Sequence, residues 1–143
     1  MKMIDLEPGD PRLGTDVLPV LLELRPHLTE ELFHEIHAEG HPQGLRFTAA
    51  FTDDGRCAGV AGWRIVVNTA TRRMLYVDDL VTTEDTRSEG VGRQLLAYLE
   101  DRARSAGCQW IELDSGTQRT RAHRFYLRER MDITAFHFGK ELD

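Results

Sequence analysis

The hydrophobic and polar positions in the first third of the chain predict one strand followed by two helices. Residues 1–6 alternate loosely, which favours a first strand. Residues 16–25 carry apolar side chains at helical spacing, and Pro26 ends that helix. A second helix begins after Thr29, which can cap its first turn, and ends near Gly40.

From residue 45 onward, strand-like segments replace the helical ones. Residues 45–51, 57–67 and 74–82 each predict a strand. Residues 53–56, Asp-Asp-Gly-Arg, predict the hairpin turn between the first two, because glycine tolerates the positive φ that such a turn needs. Consecutive strands with short connections of this kind predict an antiparallel meander.

The last third of the chain predicts a strand–helix–strand unit and two further elements. Residues 90–106 form an amphipathic helical pattern that ends at Gly107. Residues 110–113 predict a short strand, 120–130 a helix and 133–142 a last strand, in which the side chains alternate. We therefore expect an α/β fold, with a central mixed sheet of six to seven strands flanked by about four helices.

Length and composition fit one soluble domain. The chain has 143 residues, of which 41% are hydrophobic and 29% charged, and we expect residues 1–143 to form a single domain. No apolar run approaches the roughly 18 residues that span a membrane. The N-terminus lacks the apolar stretch of a signal peptide, so we expect a cytoplasmic protein. A net charge of −6 disfavours a nucleic-acid partner.

The cysteines and histidines do not have the spacing of a disulfide framework or a metal site. Cys57 and Cys108 stand far apart, and we interpret both as small buried hydrophobic residues. His34, His37 and His41 share one side of the second helix, but they do not complete a His-Glu-x-x-His motif. We interpret them as part of a solvated polar face and predict no metal site.

The connection between the third strand of the meander and the long helix contains Arg87, Gly90 and Gly92. The N–H groups at a helix N-terminus are unpaired and the helix dipole adds positive potential, so such a terminus binds phosphates. Leu95 stands where a Rossmann fingerprint needs a third glycine, and the Gly-Lys-Thr of a Walker loop is missing. The motif alone leaves open a phosphate-binding turn of another type or an ordinary helix start.

Two motifs carry a resemblance to a known family. The run Arg87-x-x-Gly90-x-Gly92 resembles the Gln/Arg-x-x-Gly-x-Gly/Ala signature of the GNAT acetyltransferases. Residues 122–126, Ala-His-Arg-Phe-Tyr, resemble the family's second element, an alanine followed four residues on by tyrosine. The order of the predicted elements agrees over nearly the whole chain. The sequence departs from residues common in the family at Glu84, Arg119, Arg130 and Met131.

The resemblance implies an acetyl-CoA-dependent N-acetyltransferase, in which a small-molecule or peptide amine attacks the thioester directly. The backbone of Leu80, Val81 and Thr82 would hold the pantetheine and the developing oxyanion. His123 would either touch the outer part of the cofactor or belong to a solvated helix face. The pyrophosphate would contact the backbone amides of the loop and of the helix start, and Arg87 would lie at the entrance of this phosphate site. The residues that would supply these amides are Ser88, Glu89, Gly90, Val91, Gly92 and Arg93.

Two consecutive aspartates in a predicted strand are candidates for the catalytic base. Neighbouring strand residues point to opposite faces, so we expect Asp78 and Asp79 to do so, and at least one to have a special role. The resemblance places the base at Asp78 and leaves Asp79 to bind backbone amides or a basic neighbour. Loss of the amine proton to water, with both aspartates structural, stays open. The resemblance assigns the general acid to Tyr126, which could instead be a core tyrosine beside Phe125.

Two other functions remain open on the same fold. A non-catalytic acyl-CoA-binding module would not need Tyr126 and Asp78, so their presence argues against it. A transferase that uses another short acyl-CoA would differ in the residues beside the acyl end. The identity of the amine and the oligomeric state, including a homodimer, also stay open.

Overall fold

The structure, a computed structural model, describes residues 1–87 and 89–143. These residues form two compact units, Met1–Glu112 and Leu113–Asp143. The expectation of a single domain stays a prediction. Across the described residues, every helix is too short or too polar to cross a lipid bilayer.

Five strands form a mixed sheet in the order β1-β2-β3-β4-β5. The strands are β1 (Lys2–Leu6), β2 (Arg46–Phe51), β3 (Cys57–Asn68), β4 (Arg72–Thr82) and β5 (Trp110–Leu113). The first four pair antiparallel with their neighbours, which confirms the predicted meander. The predicted strand bounds are correct to within two residues in this part of the chain.

The first unit also contains three α-helices. A π-helical turn, Leu13–Val17, leads into α1 (Leu18–Leu21), which ends four residues before the predicted end because the chain continues in turns towards Pro26. Helix α2 spans Glu30–Gly40, and the Thr29 side chain accepts a hydrogen bond from the Leu32 amide, as its capping role requires. Helix α3 spans Val91–Ser105.

Helices cover both faces of the sheet. Gly59 and Gly62 are three residues apart in β3 and therefore point to opposite faces. A Cβ built on Gly59 would lie 2.8 Å from side chains of α3, whereas one on Gly62 would lie 2.9 Å from Phe47, which packs on Phe33 of α2. The core beneath α1 and α2 consists of buried apolar side chains, among them Leu13, Val17, Leu18, Leu21, Phe33, Phe47, Val60 and Val81.

The second unit contains α4 (Thr120–Arg128) and a segment without regular structure, residues 131–143. The predicted strand at 133–142 does not form, so the described residues contain five strands and not six to seven. Alternating side chains are only one requirement of a strand, because its backbone N–H and C=O groups also need a paired neighbour. Phe136 and Phe138 are 87% and 90% exposed.

Candidate functional site

A register shift interrupts the pairing of β3 with β4 at the two aspartates. Gly62 lies opposite Asp79, but the next residue, Trp63, lies opposite Val77. Asp78 is therefore the extra residue of a β-bulge. Such a bulge breaks the alternation of side chains on which the expected orientation of the aspartates depended.

The bulge brings both carboxylates to the same face of the sheet. Arg64, two residues after Gly62 and so on its face, binds Asp78. A Cβ on Gly62 would lie 3.0 Å from Asp79 Oδ2, which places Asp79 on that face too. The expectation that the two aspartates point to opposite faces is wrong for this reason.

Asp78 is held by a bidentate ion pair. Arg64 Nε and Nη2 each donate to one carboxylate oxygen of Asp78 at 2.8 Å. The Arg64 guanidinium also stands over the Tyr76 ring, 5.3 Å from its centroid. Both carboxylate oxygens of Asp78 therefore already accept a hydrogen bond from Arg64.

Asp79 has a different environment, although it also contacts an arginine. Arg25 Nε donates to Asp79 Oδ1 at 2.8 Å, and Arg25 Nη2 donates to the Asp78 carbonyl at 3.2 Å. Asp79 Oδ2 accepts no hydrogen bond from the described residues. Burial raises the pKa of Asp79 above the usual value of a carboxyl group, and Arg25 only partly opposes that shift.

Asp79 and Arg25 line a cavity of about 230 Å³ on this face of the sheet. The remaining wall is mostly apolar and comes from α1, α2, β2 and the loop between the two helices. The other lining residues are Leu21, His27, Leu28, Phe33, Ile36 and Phe47. A mostly apolar cavity with a few convergent charged groups is the usual form of a small-molecule site.

The N-terminus of α3 provides a candidate phosphate site, as the glycine motif suggested. Gly90 has a φ of +77°, and a Cβ built on it would meet nothing within 4 Å, so the space beside this backbone is open. Among the described residues, no side chain caps the helix. Val91 is fully buried and fixes the first turn in the core, while Glu89, Gly90 and Arg93 are exposed. Ser88 lies outside the described residues.

Side-chain and backbone contacts anchor the loop that leads into α3. Thr86 is buried, its hydroxyl contacts that of Thr83, and it donates to the Ala58 carbonyl at 3.4 Å. Arg87 donates to the Thr82 carbonyl at 3.3 Å and lies 3.6 Å from Glu23. Arg87 would therefore exchange these contacts for a phosphate if it bound one.

At the end of β4 the backbone groups alternate between the side of β3 and the opposite side. The Thr83 N–H donates to the carbonyl of Ala58 in β3, at 2.9 Å. Because successive strand residues direct their backbone groups to opposite sides, those of Thr82 and Leu80 point away from β3. The side chains of Leu80 and Val81 are buried and hold this stretch in place.

In the second unit, α4 carries both candidate residues predicted there. Tyr126 is half-buried beside Phe125, with ring centroids 5.3 Å apart. Burial raises the pKa of Tyr126, and Arg119 partly opposes this. The phenol therefore keeps its proton at neutral pH. His123 Nε2 lies 2.7 Å from the carbonyl oxygen of Gly116.

One of the three histidines expected on a solvated face of the second helix, His37, does not lie there. His37 is 1% exposed and packs against Phe33 and Phe47, so it does not belong to a solvated face. The described part of the chain contains no cluster of histidine, cysteine and acidic residues that could hold a metal ion. Cys108 is buried and Cys57 half-buried, and burial raises the pKa of the Cys57 thiol to about 11, which makes it unreactive.

Sequence reasoning missed Arg25 and Arg64, the charged partners of the two aspartates, and His27, which lines the same cavity as Asp79. Arg64 lies in a strand and Arg25 in a loop 54 residues before Asp79, so local patterns do not connect them. Two weak signals were available. Gly62 interrupts an apolar strand, and a glycine inside a strand often marks a β-bulge or a place where another group approaches the backbone closely. An arginine within a strand also indicates an acidic partner nearby.

Comparison with known proteins finds relatives among curated proteins and solved structures. The chain spans about two fifths of the length of the two curated relatives that it matches. The uncharacterized N-acetyltransferase YhdJ of Bacillus subtilis (strain 168) is 54% identical over 60 residues, 42% of each chain. The aminoalkylphosphonate N-acetyltransferase of Salmonella typhimurium is 42% identical over 66 residues, 46% of this chain and 43% of that protein.

Solved structures share the fold at low sequence identity. The aminoglycoside N-acetyltransferase AAC(6')-Iy, solved in complex with CoA, superposes with a TM-score of 0.82 at 16% identity, over 99% of this chain and 93% of that one. The model of the family described as Acetyltransferase (GNAT) matches residues 12–131, most of the chain. The chain therefore belongs to the GNAT acetyltransferase family.

Proposed function

We propose that the protein transfers an acetyl group from acetyl-CoA to a primary amine by direct attack of the amine on the thioester. The observation that carries the proposal is the position of Asp79 in the wall of a cavity on the face of the sheet that α1 and α2 cover. The Salmonella relative and AAC(6')-Iy are both named as N-acetyltransferases, which supports an amine acceptor.

Asp79 serves as the base in this proposal, and Asp78 has a structural role. Asp79 Oδ2 is free of hydrogen bonds from the described residues, and its raised pKa favours uptake of a proton. Asp78 uses both oxygens for Arg64. An ammonium group in the cavity would give one proton to Asp79 and become the nucleophile.

The residues of the glycine loop fit the phosphates of CoA. The open space beside Gly90 and the uncapped N-terminus of α3 would accept a pyrophosphate on the amides of residues 89–93, with Ser88 as a further candidate. Acetyl-CoA supplies the acyl thioester. The backbone of Leu80 and Thr82 would hold the pantetheine and face the carbonyl oxygen, whereas the backbone groups of Val81, between them, are directed towards β3. Arg87 and His123 remain candidates for outer contacts.

The proposed reaction balances with two protein groups. A C–N bond forms to the amine nitrogen and the C–S bond breaks. Asp79 accepts one proton of the ammonium group and releases it to solvent. Tyr126, the candidate general acid, would give its proton to the leaving sulfur and regain one from solvent, while the amine nitrogen loses its second proton to water. The net result is one amide, one thiol and one released proton.

Two measurements test the proposal. Release of free CoA thiol is followed over a panel of primary amines with acetyl-CoA, and calorimetry measures acetyl-CoA binding. We expect both binding and amine-dependent release. Binding without release from any amine would indicate a non-catalytic acyl-CoA-binding module instead. Faster release of CoA thiol from another short acyl-CoA would mean that the protein transfers that acyl group and not acetyl.

A further inference from the structure

The cavity beside β4 carries two opposite charges, and both have unused hydrogen-bonding capacity. Arg25 uses Nε for Asp79 and Nη2 for the Asp78 carbonyl. Its Nη1 has no partner among the described residues, and the side chain is 46% exposed. Asp79 Oδ2 is also unpaired within the described chain. An acceptor group and a donor group therefore lie side by side in one wall.

This pair is a poor match for a plain amine. An ammonium group at Asp79 would bring a second positive charge next to the Arg25 guanidinium, and like charges at this range repel. An acidic group on the same molecule removes that conflict, because it can accept hydrogen bonds from the free edge of Arg25 while the ammonium group contacts Asp79. His27, also in the wall, adds no negative charge.

The size and lining of the cavity limit the rest of the molecule. About 230 Å³ is below the roughly 300–1,000 Å³ of pockets for drug-sized ligands. Five of the eight lining residues are apolar: Leu21, Leu28, Phe33, Ile36 and Phe47. A short molecule with a compact apolar substituent fits such a space, and a long polyamine would leave this apolar wall unfilled.

We propose that the acceptor is a small zwitterionic amine, which carries an acidic group one or two bonds from the amino carbon and a compact apolar side chain. Arg25 is then the residue that selects the acidic group, whether carboxylate or phosphonate. This inference rests on the proposed function for the reaction, but the binding preference is measurable without turnover.

Three probes separate the contributions. Leucine presents a carboxylate, (1-amino-3-methylbutyl)phosphonic acid presents a phosphonate, and 3-methylbutylamine has the same apolar body without an acidic group. Calorimetry at pH 7 in the presence of CoA measures the affinity of each. We expect one or both acidic probes to bind about tenfold or more tightly than the plain amine. The stronger of the two identifies the acidic group.

Arg25→Gln tests the residue, and Arg64→Gln is its matched control. Each variant removes one arginine that pairs with one of the two aspartates, but only Arg25 lines the cavity. We expect Arg25→Gln to abolish the preference for the acidic probe, Arg25→Lys to keep part of it, and Arg64→Gln to leave it unchanged. Thermal unfolding of each variant shows whether it is folded.

The outcomes distinguish this inference from the reaction itself. Equal or tighter binding of 3-methylbutylamine in the wild-type protein overturns the inference, and so does an equal loss of affinity for all probes in Arg25→Gln. Thiol release with the plain amine, without a preference for the probes that carry an acidic group, would support the transferase reaction and overturn this inference. Tight binding of an acidic probe without any thiol release would support the inference and overturn the reaction.

Discussion

The carboxylates of Asp78 and Asp79 lie on the same face of the sheet, although the two residues are consecutive in β4. The β-bulge at Asp78 produces this arrangement, and two arginines from different elements then separate the two groups chemically. Arg64 of β3 occupies both oxygens of Asp78, while Arg25 contacts one oxygen of Asp79, which lines a cavity, and leaves the other without a hydrogen bond from the described residues.

The first prediction concerns which aspartate is the base. Asp79→Asn should lower the rate most near neutral pH, where an amine of pKa about 10 is almost fully protonated. The loss should shrink towards pH 9–10, because roughly a tenth or more of the amine is then already neutral. A pH–rate series with saturating acetyl-CoA measures this.

Asp78→Asn is the matched control for that series. It removes the charge that pairs with Arg64, so it should lower the free energy of unfolding but leave the pH profile of the folded enzyme in place. The reverse result, a pH-dependent loss only in Asp78→Asn, would return the base to Asp78. No pH-dependent loss in either variant would mean that water takes the proton.

The second prediction concerns the loop before α3. Gly90→Val should weaken acetyl-CoA binding by about 2 kcal/mol, roughly thirtyfold, because its side chain enters the open space beside the amides. The substitution also strains the backbone, since Gly90 has a φ of +77°. Calorimetry on the folded variant measures the affinity.

Gly55→Val separates strain from binding. Gly55 has a φ of +86° and open space around it, but it lies in the hairpin turn between β2 and β3. Both variants should therefore lose stability, and only Gly90→Val should lose affinity. Unchanged affinity in a folded Gly90→Val protein would argue against a phosphate site at this helix.

The third prediction concerns Tyr126. Tyr126→Phe should lower turnover by roughly a hundredfold or more and change acetyl-CoA affinity little, because the hydroxyl acts in the transition state and the ring supplies the packing. Steady-state kinetics at saturating amine and acetyl-CoA measure turnover. Phe125→Leu is a useful comparison, since it alters the neighbouring ring and keeps the hydroxyl. Turnover near the wild-type value in Tyr126→Phe would leave the tyrosine a structural role only.

The fourth prediction concerns stability in mild acid. His37 is buried with neither ring nitrogen hydrogen-bonded to the described residues, and burial lowers its pKa below the usual 6.5. Between that lowered pKa and 6.5 the unfolded chain binds more protons than the folded one. The free energy of unfolding should therefore fall as pH drops below about 6.5.

His37→Leu should flatten this pH dependence. It should leave stability near pH 7 equal or higher by about 1 kcal/mol, because two unsatisfied nitrogens leave the core. His34→Leu is the control, since His34 lies on the same helix but its side chain is 41% exposed. Chemical denaturation at pH 5, 6 and 7 measures all three proteins, and an unchanged slope in His37→Leu would show that His37 does not cause the acid sensitivity.

The sequence by itself determined the elements whose signals are local. The cap at Thr29, the turn at Gly55 and the glycine at the start of α3 each act within a few residues, so a pattern of neighbours predicts them. The meander followed from three strand-like segments with short connections. The family resemblance depended on the same local runs, 87–92 and 122–126.

The tertiary structure alone decided how those elements meet. The bulge at Asp78 is a property of the pairing of β3 with β4, so the facing of Asp79 depends on a strand that local spacing does not describe. His37 is buried because Phe33 and Phe47 enclose it, although its own helix pattern reads as polar. Residues 133–142 alternate like a strand and yet form none, because pairing needs a partner as well as a pattern. Register, burial and pairing are set by groups distant in sequence, and the charged partners of the candidate base are set in the same way.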